Sequence, residues 1–520
     1  MRLGSLLLLP SLVGTTFAAI GPVAVLPIVN RELAPDGVSR STVLAGGTFP
    51  GPMISGKKGD HFKITVVDEL RDKTMDVVTS IHWHGIDQIS TNPMDGVAFV
   101  TQCPIVPGNS FEYNFRVPNQ AGTFWYHSHF STQYCDGLRG AFVVYDPEDP
   151  HAWMYDVDDE STVITLADWY HYPASQAPPI APFNSTLING HGRDLYNHHT
   201  NTALAVVNVV RGKRYRFRVI SMSCDPNYLF SIDGHQLTVI EADGNNVQPL
   251  VVDEIQIFAA QRYSVVLHAN QPVNNYWIRA IPGIAGASNA GGRNAAILRY
   301  LGAAVSEPKT KKTGGKLPLV ESNLHPGKPY PGGADVNINL DVTLVESDHA
   351  AAFQDPVALR FLVNNATYDS PEVPVLLQLL NGTQRAQDLL PKGSVYPVAR
   401  NKSVELTFPG GALGGPHPIH IHGQSFYVVR SAGNSSYNFE NPVLRDVLSI
   451  GNETDLVTIR FMAENPGPWL VHCHIDWHLR LGFAAVLATE DPSLSTDVAT
   501  PESWKQLCPT YNRFAQKKTL

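Results

Sequence analysis

Charge is what this 520-residue chain has least of: Asp, Glu, Lys and Arg make up 16% of it, against roughly 25% in an average globular protein. The balance is mildly acidic, at −9, and no basic run occurs. That excludes the electrostatic footprint of a nucleic-acid or anionic-membrane binder. Beyond the N-terminus no segment reaches the roughly 18 consecutive apolar residues a spanning helix requires, so the mature chain is expected to be soluble. Stretches with a 3.6-residue period are scarce, which points away from helices. Cysteine is rare and odd in number, at five. Disorder is excluded too: hydrophobic residues reach 43%, ample for the three or so domains that roughly 150 residues per domain suggests.

What is present begins with a leader. Met1-Arg2 precedes an apolar run from Leu3 to Phe17, followed by small residues at Ala18. This reads as a secretory signal over residues 1–18; a membrane anchor fits poorly, because the run is short and Pro10 interrupts it. Six sequons, at Asn184, Asn365, Asn381, Asn401, Asn434 and Asn452, add a secreted, extracellular glycoprotein to the expectation. In an oxidising compartment five cysteines leave one thiol outside pairing, and Cys473 stands among histidines.

Period-2 alternation recurs along the chain. Phe111, Tyr113, Phe115 and Val117 share one face; Tyr215, Phe217 and Val219 alternate with Arg214, Arg216 and Arg218; Val457, Ile459 and Phe461 alternate with Thr458 and Arg460. These predict half-buried strands between Gly, Pro and Asn turns, and an all-β sandwich or barrel. The chain also repeats itself. Ile81-His82-Trp83-His84-Gly85 resembles Ile419-His420-Ile421-His422-Gly423, and Gly122 to His129 resembles Gly467 to His474. His82 precedes His127 by 45 residues, and His420 precedes His472 by 52. A degenerate copy lies between, Phe230 to Gly234 and Tyr276 to Arg279, with Ser231, Asp233 and Arg279 where the outer copies have histidine. The reading is one sandwich repeated three times, the middle one without metal ligands. The expected domains are 19–149, 150–305 and 332–520, with 306–331 an exposed Lys-, Gly- and Pro-rich linker.

Twenty histidines would produce about one His-x-His triplet by chance; four occur, in paired and repeated positions. Residues i and i+2 of a strand point the same way, so each triplet presents two imidazoles together. Imidazole alone suits Zn, Cu, Fe or Ni; Cys473 selects copper. With His417 and His478, Cys473 supplies a His₂Cys trigonal set of the blue-copper kind. A redox-silent zinc would gain nothing from a thiolate joined by peptide to a second metal cluster. The eight triplet imidazoles can hold three more ions between the first and third domains, one covalent step from that thiolate.

With these motifs in view the chain resembles a fungal laccase of the basidiomycete type, a multicopper oxidase of three cupredoxin-like Greek-key β-sandwich domains. The likeness runs from Ile20-Gly21-Pro22 to Leu507-Cys508-Pro509-Thr510-Tyr511 and includes all four copper motifs. It implies four copper ions: type 1 on His417, Cys473 and His478; type 2 on His82 and His420; the type 3 pair on His84, His127, His129, His422, His472 and His474. It implies disulfides Cys103–Cys508 and Cys135–Cys224, one of three pairings that four cysteines allow. The implied partners are small phenolic or aromatic reductants and O₂, with no nucleic acid or membrane, and the implied state is a monomer. Lignin degradation, pigment synthesis and toxin chemistry all remain open as settings. Asp225 matches the family's carboxylate at the substrate pocket, though Asp225-Pro226-Asn227 also reads as a turn. Asp95 matches a carboxylate near type 2 copper, and Asp476 is a candidate for orienting ligands; both also read as structural carboxylates. Phe483 stands ten residues after Cys473, where relatives often place an axial Met. A phenyl ring cannot ligate, so a raised type 1 potential is expected. Two positions depart from the family pattern: Gln424, where a further histidine is usual, and Arg480, where high-potential members commonly carry Glu. The rivals are another multicopper oxidase, such as a ferroxidase or ascorbate oxidase, and a non-enzymatic secreted copper-binding or zinc-stabilised protein.

Overall fold

The computed structural model describes residues 19–178, 180–197, 201–326, 332–346, 359–381, 393–491, 494–498 and 500–518. The leader and its cleavage site lie outside these residues, as does the end of the expected linker, 327–331. Among the described residues no helix is long and apolar enough to cross a membrane.

One sheet arrangement occurs three times. Strands β1 (Gly51–Lys57), β2 (Ile81–His84), β3 (Gly122–Ser128) and β4 (Arg139–Tyr145) lie in the order β1-β4-β3-β2. Strands β5 (Val206–Val209), β6 (Tyr228–Ile232), β7 (Asn275–Pro282) and β8 (Ala295–Tyr300) repeat it as β5-β8-β7-β6. Strands β9 (Val395–Ala399), β10 (Pro418–Ile421), β11 (Gly467–Cys473) and β12 (Ala484–Glu490) repeat it again as β9-β12-β11-β10. Each time the outermost strand runs parallel to its neighbour and the other two pairings are antiparallel. The registers agree as well. His82 pairs with His127, His420 with His472, and at the equivalent place Ser231 with Arg279. In the middle repeat Arg279 forms a 2.6 Å ion pair with Asp233, so charge pairing occupies the face that carries imidazoles elsewhere.

A second sheet closes each sandwich, and its strands follow the alternation. In Ser110–Arg116 the residues Phe111, Tyr113 and Phe115 are buried while their neighbours face outward. The strand Arg214–Ser221 departs from the half-buried expectation: Arg216 and Arg218 are buried too, at 3% and 1% exposure. Their guanidiniums meet Glu241, Asp149 and Asp158 under the adjoining first repeat, so paired arginines fill an interface where the period-2 pattern implied solvent.

One core cluster spans the middle and last repeats and takes in Trp125, Tyr134 and Val143 of the first, and a second fills the rest of the first repeat. The linker is a strap rather than a free segment. Gly315, Lys316 and Leu317 donate backbone N–H to Asp253, Lys312 pairs with Glu254, and Leu324 is fully buried. The chain's end crosses back. Trp504 and Leu507 join the first repeat's core, and the helix Leu507–Lys518 is tied there by the Cys103–Cys508 disulfide.

Candidate metal centre

Strand β2 carries His82 and His84, and β3 carries His127 with His129 just beyond its end; β10 carries His420 with His422 just beyond, and β11 carries His472 and Cys473 with His474 next. Alternation puts each pair of triplet imidazoles on one face, and antiparallel pairing sets two triplets side by side. The two four-imidazole patches then face one another across the first and third repeats. His84 stacks on His420 at 3.9 Å, His82 lies 4.1 Å from His422, and His129 lies 5.3 Å from His472 between ring centroids. Donor atoms converge within 4.8 Å of one another in the groups His84/His127/His474, His129/His422/His472 and His82/His84/His420.

The hydrogen bonding around these rings fits metal ions. His82, His127, His420 and His472 place Nδ1 2.8–2.9 Å from backbone carbonyls of Asp95, Ser128, Asp446 and Cys473, and His422 Nδ1 lies 3.0 Å from Asp95 Oδ2. An oxygen of this kind only accepts, so the proton sits on Nδ1 and the Nε2 lone pair faces inward. Buried Nε2 atoms of His82, His127, His129, His420 and His474 have no hydrogen-bond partner among the described residues. His422 and His472 bring two Nε2 atoms within 3.1 Å, a contact between lone pairs that a cation relieves. His84 is reversed: Nε2 lies 3.3 Å from Asp446 Oδ1 and Nδ1 is the buried, unpartnered atom. Burial, reinforced by repulsion between neighbouring rings, holds His84, His127, His129, His420, His422 and His474 well below the usual imidazole range. Burial also lowers His472 to about 3. Neutral imidazole is the form that binds metal.

The second set is a triangle. His417 Nδ1 and His478 Nδ1 are 3.0 Å apart, and Cys473 Sγ lies 3.6 Å from each. His417 Nε2 donates to Ala412 O at 3.1 Å, which leaves Nδ1 as the lone-pair atom. Burial lowers His417 to about 4 and keeps Cys473, the free cysteine, well above the usual thiol range without a metal. Phe483 is buried and packs on His417 at 5.1 Å. Phe361 packs on His417, His478 and Phe483 at 5.6, 4.9 and 5.0 Å. Its strand lies outside every motif, so nothing local in the sequence points to it.

The three carboxylates occupy different positions. Asp95 is fully buried and bridges His82 and His422, two rings from opposing patches. Asp476 is buried on the short helix Asp476–Arg480, with Oδ2 3.2 Å from Cys135 Sγ. Burial first, then the charge of Asp168, pushes its carboxyl well above the ordinary range, although Arg139 and Arg480 oppose this. A protonated Asp476 can therefore donate toward that disulfide sulfur, which has no proton of its own. Asp225 is half-buried; burial and Asp168 raise it to about 7. The backbone N–H groups of Cys224 and Asp225 donate to Asp168, and Asp476 N donates to Cys224 O, which brings Asp225 toward the element that carries His478. Sequence reasoning missed Asp446 and Asp168, because neither has a metal-like spacing. Arg480 is exposed and Gln424 half-exposed.

The cystines are Cys103–Cys508 and Cys135–Cys224. Sequon residues Asn365, Asn381, Asn401 and Asn452 are exposed, and Asn184 and Asn434 are half-buried. Of the histidines outside the two sets, His61 and His151 are half-buried, while His198, His199 and His349 lie outside the described residues.

Comparison with known proteins agrees with this geometry. Three multicopper oxidase sequence families match residues 28–149, 160–303 and 368–493. The chain is 55% identical to Laccase-2 of Trametes villosa over 519 residues, covering 97% of each, and 55% identical to the laccase of Phlebia radiata over 514 residues, again 97% of each. Among solved structures the Botrytis aclada laccase is 30% identical with a TM-score of 0.81, covering 95% of this chain and 92% of that one. The multicopper oxidase Fet3p, which functions in iron import, superposes with a TM-score of 0.82 at 26% identity, covering 94% and 95%. Three cupredoxin-like repeats, two facing imidazole patches and a His₂Cys triangle thus coincide with full-length likeness at more than half identity. The chain belongs to the multicopper oxidases and, within them, to the fungal laccases.

Proposed function

We propose that this laccase removes one electron from each of four phenolic reductants beside His478 and uses them to reduce O₂ to two waters at the eight-histidine cluster. The single observation that carries the reading is Cys473, whose thiol completes the triangle with His417 and His478 while its two sequence neighbours, His472 and His474, belong to the cluster. When bound, copper would supply one-electron redox chemistry at the triangle and multi-electron reduction of dioxygen at the cluster. Four ions are the stoichiometry that the donor sets favour: one on the triangle, one on His82 and His420, and two among the remaining six imidazoles. All donors come from one chain, which supports a monomer as the working unit.

The protein's own groups do the rest. The Cys473 thiolate and the peptide bonds flanking it form a covalent electron route between the two sets. Phe361 and Phe483 wall the triangle with hydrocarbon, so no fourth protein ligand reaches it from that side. Asp225 accepts the phenolic proton as the electron leaves. Asp95, touching His82 and His422, accepts from these rings, and Asp476, beside the cavity lined by His127, His129, His472, His474 and Tyr134, holds a proton close to where water would form. The leader, the sequons and the two cystines support secretion. A phenolic rather than a ferrous substrate is favoured because the chain stands much nearer the laccases than the iron-import oxidase in sequence.

The test is Cys473→Ser, assayed by O₂ uptake with a methoxyphenol and with Fe(II), alongside metal analysis. The wild-type protein is expected to be intensely blue, to carry about four coppers per chain and to prefer the phenol. The variant is expected to be colourless and inactive. A colourless wild-type protein, or turnover that survives the substitution, would overturn the reading.

A further inference from the structure

The middle repeat supplies none of the candidate ligands, yet it reaches the cluster. Arg262 is fully buried where the three repeats meet. Its Nη1 and Nη2 donate to the two carboxylate oxygens of Asp446 in the last repeat, at 2.6 Å each. Its Nε donates to Thr123 O in the first repeat at 3.1 Å. Asp243 holds the other side of the assembly, accepting from Arg262 N and from Arg445 Nε. Asp446 faces the cluster from behind, with Oδ1 3.3 Å from His84 Nε2 and its carbonyl 2.8 Å from His420 Nδ1. Gly85 leaves room for this contact: a Cβ there would lie 2.5 Å from Arg262 Nη2 and 2.7 Å from Asp446 Oδ2.

We propose that Arg262 is a positioning residue for the histidine cluster, acting through Asp446 to fix the proton of His84 on Nε2 and leave Nδ1 as its ligand atom. The inference rests on the copper reading given above. A carboxylate gripped by both arms of a guanidinium is held in one plane, and because both its oxygens already accept N–H from Arg262 it meets the imidazole as an acceptor. His84 must therefore carry its proton on Nε2. The five rings anchored at Nδ1 are held the opposite way, so His84 alone depends on this clamp for its tautomer. Without the clamp Asp446 is free to turn, and His84 can present N–H instead of a lone pair to an incoming cation. The triangle of His417, Cys473 and His478 contacts neither Arg262 nor Asp446 in any hydrogen bond of the structure. Damage should accordingly be selective.

The experiment uses full-length secreted protein carrying Arg262→Met, Arg262→Lys or Asp446→Asn. Its readouts are copper content, blue absorption, the type 2 paramagnetic resonance signal and reoxidation of reduced protein by O₂. Arg262→Met and Asp446→Asn should keep the blue colour and its anaerobic bleaching by a hydroquinone. They should lose cluster copper and type 2 signal, with reoxidation slowed about tenfold or more. Arg262→Lys, with charge but no fork, should be intermediate. Full cluster copper and an unchanged type 2 signal in Arg262→Met would overturn the proposal. Parallel loss of blue and type 2 signals in all three variants would overturn it equally, because a merely structural role lowers both together. Wild-type protein with a blue centre but no cluster copper would instead count against the underlying copper reading.

Discussion

Asp225 shows what one residue's surroundings do to its chemistry. Half-buried, and next to Asp168, which accepts its own backbone N–H, its carboxyl is raised by burial and by that neighbour to about 7. The neutral form is thus favoured in the folded protein, and the charged form, the one able to take a phenolic proton, grows in as pH rises toward 7. The rate of phenol oxidation should climb across that range. It should not climb for an electron donor that releases no proton, and Asp225→Asn should flatten the phenol profile. A pH series of kcat/KM with both donor types checks this; an unaltered profile in the variant would remove Asp225 from the reaction. Stability responds in the opposite sense. A raised folded-state value means the unfolded chain ionises first, so this group's contribution is full below the ordinary carboxylate range and declines as pH rises through 7.

Among the elements, the turn after β2 is the most constrained. Gly96 sits at φ +83°, and a Cβ there would lie 1.7 Å from Ile81 O, inside the backbone of β2 itself. This close crossing is what lays Asp95 against His82 and His422. Gly96→Ala should therefore destabilise the protein by at least about 2 kcal/mol and weaken the type 2 signal as Asp95 is pushed away. Calorimetry and paramagnetic resonance on the secreted variant check it; an unchanged melting temperature would show the crossing to be slack. Strand Arg214–Ser221 carries the complementary lesson. Its alternation was legible, but whether the arginine face met water or Glu241, Asp149 and Asp158 depended on the neighbouring repeat.

At the scale of the molecule, the cluster is a joint between the first and third repeats, and copper held there would bind the folded state and not the unfolded chain, where these imidazoles are apart. Removing it should lower the melting temperature, by an amount that grows with the strength of binding lost, and readdition should restore it. Differential scanning calorimetry of holo, chelated and reconstituted protein checks this. Equal melting temperatures would mean that the ions contribute nothing to the joint. Side chains of the C-terminal segment already tie these repeats by other means: Trp504 Nε1 donates to Thr101 O, Tyr511 packs on Phe99, and Cys508 joins Cys103. The apoprotein is therefore expected to stay folded.

The histidine triplets, the Cys473 wiring and the threefold repeat were determined by sequence alone, because each rests on covalent neighbours and on a strand's two-residue period. The identity of the metal was also legible there, since a thiolate between two imidazoles is a local feature. Only the tertiary structure decided which nitrogen each ring offers, since that depends on acceptors such as Asp95, 327 residues before His422. It alone placed Phe361 against the triangle and joined Arg262 to Asp446, 184 residues away. Such partners meet through packing of separate repeats, and a one-dimensional pattern has no term for a contact made across an interface.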